Sequence, residues 1–204
     1  MVAATDFDAK ARTWDADPAK LERAGRVADL MARRIPGLAG ARVLEYGAGT
    51  GLLGFALRDR ARQVTLADSS REMLAVAREK LAQSGAANVD VVALDLASGQ
   101  VPDRRFDVIC SLLVLHHVAD TDRLLRRLHD ALEPGGFLCL SDLDAEDGSF
   151  HGQGFDGHSG FDRVRLAASL ERAGFEEARL ETAFEIRKAG RVYPAFLAVA
   201  RRKG

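Results

Sequence analysis

The chain has 204 residues, with 29 Lys+Arg against 30 Asp+Glu and a formal net charge of −1. Hydrophobic residues make up 47% and charged residues 29%, which excludes a disordered or membrane-embedded chain. The near-neutral balance leaves no basic field to attract a nucleic-acid backbone, and the length suits one α/β domain that buries about 70% of its unfolded surface without staples.

The opening stretch, MVAATDFDAKARTWDADPAK, has neither the basic start nor the apolar run of a secretory signal. No apolar run approaches the roughly 18 residues of a membrane span, so a cytoplasmic protein with no membrane partner is expected. The segment also carries the only tryptophan, Trp14. Asp17 to Arg34 reads as a helix with Leu21, Val27, Leu30 and Met31 inward, stopped by Pro36-Gly37. Ala41–Tyr46 then reads as a strand, followed by a glycine turn and a helix over Leu52–Arg60. Gln63–Ala67 is a second strand, and Arg71–Gln83 is a helix with Met73, Leu74, Ala77 and Leu81 at helical spacing. Val89–Leu94 and Phe106–Leu113 are the third and fourth strands. A helix capped by Asp120 or Thr121 runs to Leu132, Pro134-Gly135-Gly136 stops it, and Phe137–Leu143 is the fifth strand.

Strand and helix in alternation predict right-handed crossovers and a parallel sheet covered on both faces. Residues 144–160 are polar and glycine-rich without periodicity, a loop long enough to suggest function. Phe161–Ala173 reads as a helix capped by Asp162. Glu177–Lys188 and Val192–Arg201 are two further strands joined only by Ala189-Gly190-Arg191, too short a link for anything but an antiparallel hairpin. The domain plan is therefore an N-terminal cap and helix (1–36), a core (41–143), a loop (144–160) and a terminal helix and hairpin (161–204). Cys110 and Cys139 lie in strand-like apolar runs and read as reduced, inert core thiols.

Three segments end successive strands on one rim. The first is Val43 to Gly51, VLEYGAGTG, in which Gly47, Gly49 and Gly51 allow a sharp turn and let a ligand lie against bare backbone. The second is LADSS, whose Asp68 stands about twenty residues on, where a carboxylate accepts both hydroxyls of a ribose. The third is ALDL, which brings Asp95 to the same edge, within reach of an adenine amino group.

These motifs resemble those of the class I S-adenosylmethionine-dependent methyltransferases. The likeness runs from Val43 to Asp142: Glu45-Tyr46-Gly47-Ala48-Gly49-Thr50-Gly51, Asp68-Ser69-Ser70-Arg71-Glu72-Met73, and FDVICSLLVLHHV followed by LEPGGFL. The sequence is most similar to the branch that contains ubiquinone- and menaquinone-type and other small-molecule enzymes. The resemblance implies a Rossmann-like, doubly wound sheet of order 3-2-1-4-5-7-6. It also implies S-adenosylmethionine as cofactor, held by Glu45, Gly47, Ala48, Gly49, Gly51, Asp68, Ser69, Met73, Asp95, Leu96 and Leu112. Glu45 there orients the glycine loop, and Met73 packs on adenine.

Methyl transfer from a sulfonium needs positioning above all, and a base only when the nucleophile must lose a proton. The candidates are histidines. His116 and His117 follow the fourth strand, where family members often carry His-His-Val, a recurrence that suits a structural role as well as a catalytic one. His151 and His158 lie in the 144–160 loop, whose Phe150 and Phe155, with Phe161 just beyond, could wall an apolar pocket. His116, His151 and His158 are the candidate catalytic residues, and Trp14, His117 and Phe155 the candidate acceptor contacts. His129 reads as solvent-facing. The spacing of His151 and His158 supports no metal site, and none is expected.

The absence of an Asn/Asp-Pro-Pro-Tyr segment argues against adenine or glutamine-amide acceptors, and the absence of a rim cysteine argues against a covalent cytosine mechanism. A small-molecule acceptor follows, for a monomer or homodimer. Twenty-four arginines against five lysines are associated with GC-rich bacterial genes. Two rivals stand: a non-catalytic cofactor binder, and a nicotinamide-dependent oxidoreductase. The short-chain branch of the latter needs Tyr-x-x-x-Lys, whereas Thr50 follows Tyr46 and Leu197 follows Tyr193 at that spacing.

Overall fold

The computed structural model describes residues 7–204. A short 3-10 turn, Ala11–Ala16, leads into α1 (Pro18–Arg34), which Asp17 caps by accepting from the Ala19 amide while Pro18 occupies the first turn. Helix α1 buries Ala24, Val27, Ala28, Leu30 and Met31. Leu21, expected inward, is 60% exposed: it continues the apolar stripe by one turn, but periodicity sets only the angular position of a side chain, not where along the axis the cover begins.

The core alternates as β1 (Arg42–Tyr46), α2 (Leu52–Leu57), β2 (Gln63–Asp68), α3 (Arg71–Ser84), β3 (Val89–Ala93) and β4 (Phe106–Leu112). It continues with α4 (Thr121–Ala131), β5 (Leu132–Leu143), α5 (Arg163–Arg172), β6 (Phe175–Lys188) and β7 (Arg191–Arg202). The sheet order is β3-β2-β1-β4-β5-β7-β6, with β1 to β5 parallel and β7 antiparallel to both neighbours. Ala189 (φ 49°) and Gly190 (φ 76°) make the tight turn between the last two strands.

Side chains alternate across the sheet as the pleat requires. Val43 and Val64 face α1 and α2 through Met31, Leu53 and Leu57. Leu44 and Ile109 face α4 and α5 through Leu124, Leu128, Leu166 and Leu170. Cys110 and Cys139 stand opposite one another on β4 and β5, free and buried, and burial raises both thiols out of the reactive range.

Two boundaries and one exposure differ most from expectation. Helix α2 ends at Leu57, where the Arg60 amide turns back to the Leu57 carbonyl. Strand β5 begins at Leu132, which pairs with Phe106, and Pro134-Gly135-Gly136 is accommodated as a shift in register instead of a break. His129 is half-buried, its ring 5.4 Å from that of Phe175, because the terminal β6 covers that end of α4.

The chain lays β2 and β3 to one side of β1, then crosses to β4 on the other. Loops after β1 and β4 therefore diverge, leaving a crevice at their carboxyl ends, where ligands bind in sheets of this kind.

Candidate active site

A cavity of about 450 Å³ occupies that crevice. At one end the turn after β1 places Gly47 and Gly49 at φ 69° and 55°, in the left-handed region. A Cβ on Gly47 would lie 2.5 Å from the Val114 side chain, so only glycine lets the loops after β1 and β4 approach this closely. Glu45, 3% exposed, accepts from the Gly54 amide at 2.8 Å and ties the turn to α2. Burial pushes its carboxyl up to about 8.

Gly54 was missing from the sequence reading. A Cβ there would sit 2.1 Å from the Leu66 side chain and 2.7 Å from the Glu45 carboxylate, so only a residue without a side chain lets α2 rest this closely on β1 and β2. A glycine in the middle of LLGFAL was the available signal.

Asp68 closes the rim at the end of β2. Its Oδ2 accepts from the Gly49 amide at 2.7 Å and its Oδ1 from the Ser70 amide at 2.8 Å. Burial holds its carboxyl above the usual range, with both amides opposing the shift. Each oxygen keeps a lone pair for a ligand hydroxyl. Ser69, Met73, Leu94, Asp95 and Ala97 extend this wall. Leu96 does not: it is 1% exposed and packs into the core, because neighbouring residues point to opposite sides. Gly51 also lies outside the lining. At φ 82° it starts α2, where a Cβ would meet Leu66 at 2.6 Å.

The N-terminal segment crosses the cavity. Phe7 and Trp14 pack edge to face at 6.0 Å, Phe7 reaches His117 at 5.2 Å, and the Lys20 ammonium sits 3.5 Å above the Trp14 ring. Asp15 anchors the segment by accepting from Thr50 Oγ1 (2.6 Å) and Lys80 Nζ (2.8 Å). Sequence spacing carried no sign of these partners.

The other end is built after β4. Leu113 adopts φ 57°, uncommon for a non-glycine residue, and the chain enters a 3-10 turn over Leu115–His117. His116 is 2% exposed, and its Nδ1 lies 2.6 Å from Asp142 Oδ1 on β5. Asp142 also accepts from the amides of His116 and Leu143, so its oxygens are committed as acceptors. The ring proton is thereby assigned to Nδ1, leaving Nε2 as the free nitrogen.

The 144–160 loop folds back over this turn. Arg163 grips Asp144 through two contacts of 2.7 Å at its base. His151 is carried in against His116 and His117, at ring separations of 5.0 and 5.5 Å. Burial, with His116 as the second cause, lowers His117 to about 3 and His151 to about 4.

Of the residues singled out in the sequence, Trp14, Leu112, His116, His117, Phe150 and His151 line the cavity. Phe155 does not line it, but stacks on the back of His151 at 3.8 Å. His158 is excluded as well. Its amide donates to the His116 carbonyl, its Nε2 lies 3.0 Å from the Val118 carbonyl, and it pins the loop instead of facing the cavity.

A doubly wound sheet with a glycine turn and a carboxylate at its switch point defines a Rossmann-like nucleoside-binding protein. A family model described as a methyltransferase domain matches residues 43–136. The chain is 37% identical over 109 residues to a ubiquinone biosynthesis O-methyltransferase of Idiomarina loihiensis, covering 53% of this chain and 44% of that protein. It spans about half the length of the curated relatives it matches. Its fold superposes on an S-adenosylmethionine-dependent methyltransferase from Mesorhizobium loti with a TM-score of 0.66 and 25% identity, over 85% of this chain and 96% of that one. It also superposes on Haemonchus contortus phosphoethanolamine N-methyltransferase 2 bound to S-adenosyl-L-methionine, with a TM-score of 0.73 and 19% identity, over 87% and 52%. Residues 43–136 thus match a methyltransferase domain, and the curated relatives of this stretch include ubiquinone biosynthesis O-methyltransferases. Among the described residues no helix is long and apolar enough to cross a membrane.

Proposed function

We propose that this protein transfers the methyl group of S-adenosylmethionine to an oxygen, nitrogen or sulfur of a small-molecule acceptor. The observation that carries this reading is the continuity of one cavity from Asp68 and Met73 to His116, His117 and His151. Asp68 accepts the ribose hydroxyls, Asp95 lies toward the adenine amino group, Met73 packs on the ring, and the bare backbone of Gly47 and Gly49 takes the methionine part. The sulfonium then points to the histidine end, under Trp14 and Phe150.

In the reaction the acceptor lone pair forms a bond to the methyl carbon. The carbon–sulfur bond breaks with its electron pair left on sulfur, which yields S-adenosylhomocysteine. An acceptor hydroxyl or thiol also loses its proton, which passes to an imidazole of the histidine cluster or to water at the cavity mouth. The apolar walls exclude water and hold the two reactants in line. A small acceptor suits the enclosure, and the O-methyltransferase likeness favours oxygen.

Thermal unfolding with S-adenosylhomocysteine tests the cofactor half. A ligand at a hundred times its Kd adds about 2.7 kcal/mol, which raises Tm by roughly 5–11 °C at this length. NAD should give no shift. Accumulation of S-adenosylhomocysteine from a panel of small phenols and thiols tests turnover. Binding without turnover on any acceptor would make this a binding protein, and a shift with NAD alone would overturn the reading.

A further inference from the structure

Three imidazoles meet at the acceptor end from two separate segments. One ring nitrogen from each of His116, His117 and His151 lies within 4.8 Å of the other two. His117 Nδ1 and His151 Nε2 are buried, with no hydrogen-bond partner among the described residues. A buried polar atom is rarely left without a partner, and two side by side call for a shared explanation. The third ring is held from behind: Asp142, itself fixed by two backbone amides on β5, engages His116 Nδ1 and leaves Nε2 free. A carboxylate behind a histidine is the usual way to orient a metal-ligating ring and raise its basicity.

We propose that His116, His117 and His151 bind one divalent transition-metal ion of the zinc type, with a fourth position open to the acceptor. Three neutral imidazoles and an open site are the ligand set of a catalytic zinc ion, whereas magnesium and calcium require oxygen ligands that this cluster lacks. At metal–nitrogen distances of about 2.0–2.1 Å the three nitrogens stand roughly 3.4 Å apart, so the ion draws the rings in by a modest rotation. Phe155, stacked on His151, and Phe7, against His117, limit that rotation.

At the open position an acceptor oxygen or sulfur would bind the ion as the anion, its proton leaving to solvent, and a remaining lone pair would attack the methyl carbon as the carbon–sulfur bond breaks. This choice of acceptor rests on the methyl-transfer reading, but the ion site does not. His151 follows His117 only after the fifth strand and part of the long loop, so no ligand spacing announced the site in the sequence.

The test uses the full, tag-free chain, stripped with chelator and then equilibrated with zinc. One zinc per chain should remain after gel filtration. H117A and H151A should each weaken zinc binding at least tenfold, while H129A, outside the cluster, should not. Cobalt(II) in the wild-type chain should give the visible absorption of a four-coordinate ion, shifting when a small thiol is added. S-adenosylhomocysteine binding is read in parallel by calorimetry. Absence of stoichiometric zinc and of the cobalt spectrum in the wild type, or zinc binding unchanged in both histidine variants, overturns the ion site. Zinc bound without any S-adenosylhomocysteine binding would instead sink the methyl-transfer reading and leave the ion standing.

Discussion

The two ends of the cavity share one sheet edge but are built differently. At the cofactor end the decisive contacts are local: the Glu45–Gly54 bond spans nine residues and the Asp68–Gly49 bond nineteen. The first ties β1 to the helix that follows it, and the second ties the turn after β1 to the end of the neighbouring β2. At the acceptor end His116 reaches Asp142 across 26 residues and His158 reaches Val118 across 40, and the surface is made of imidazole and aromatic rings. A glycine turn and a capping acid serve any acceptor, since every acceptor meets the same cofactor. The ring cluster is where chemistry particular to this protein can be set.

If the two ends are energetically separate, damage at one should leave the other intact. Asp68→Ala should have the largest effect. Each charge-assisted hydrogen bond to a ribose hydroxyl contributes about 1.5–3 kcal/mol, so S-adenosylhomocysteine affinity should fall by about a hundredfold or more. Zinc affinity in the same variant should stay at the wild-type value, and a parallel loss would show that the ends are coupled.

Gly47→Ala comes next, because Gly47 is where the ends touch. The new methyl meets Val114 at 2.5 Å from a backbone at φ 69°, and overpacking with left-handed strain costs about 2 kcal/mol. Urea denaturation should show that loss, and weakened binding of both ligands should accompany it. A stable variant with normal affinities would disprove the close packing described.

Glu45 offers a pH test confined to the cofactor end. Its folded value of about 8 stands above the usual carboxyl value of about 4.3, so the folded chain holds a proton that the unfolded chain has lost. The stability this group contributes is complete below about pH 4 and drains away as pH rises through 8. Glu45→Gln cannot ionise and can still accept from the Gly54 amide. Its stability relative to wild type should therefore improve steadily between about pH 5 and pH 8, and a pH-independent difference would refute the buried proton.

The smallest effect is expected at Arg163, whose partly exposed pair with Asp144 closes the base of the loop. Arg163→Ala should cost under about 1 kcal/mol, yet speed amide exchange at Ala145 and Glu146, whose amides pair with Phe161 and Ser159. Exchange there at the wild-type rate would mean that the loop's other contacts, such as Ser149–Tyr193 and Arg191–Asp147, hold it without Arg163.

Much of the fold was legible because its signals are short in range. Periodicity marked each helix and strand, and the short link at Ala189-Gly190 forced the last two strands into a hairpin. Misreadings arose where partners decide the outcome. Leu21 lies on the right face but beyond the cover, Pro134-Gly135-Gly136 reads as a stop until β4 supplies a pairing edge, and His129 reads as exposed until Phe175 packs beneath it.

By itself the sequence determined the α/β class, the glycine turn and the acid rim. Each depends on backbone conformation or on residues a strand apart, and hydrophobic period and glycine placement encode both directly. Only the tertiary structure decided which histidines face the cavity. His158 looked equivalent to His151 in the sequence, yet one is spent on the Val118 carbonyl while the other is delivered to His116 and His117. Side-chain direction in a long loop is set by what the loop packs against, here the turn over Leu115–His117 that Asp142 fixes from behind.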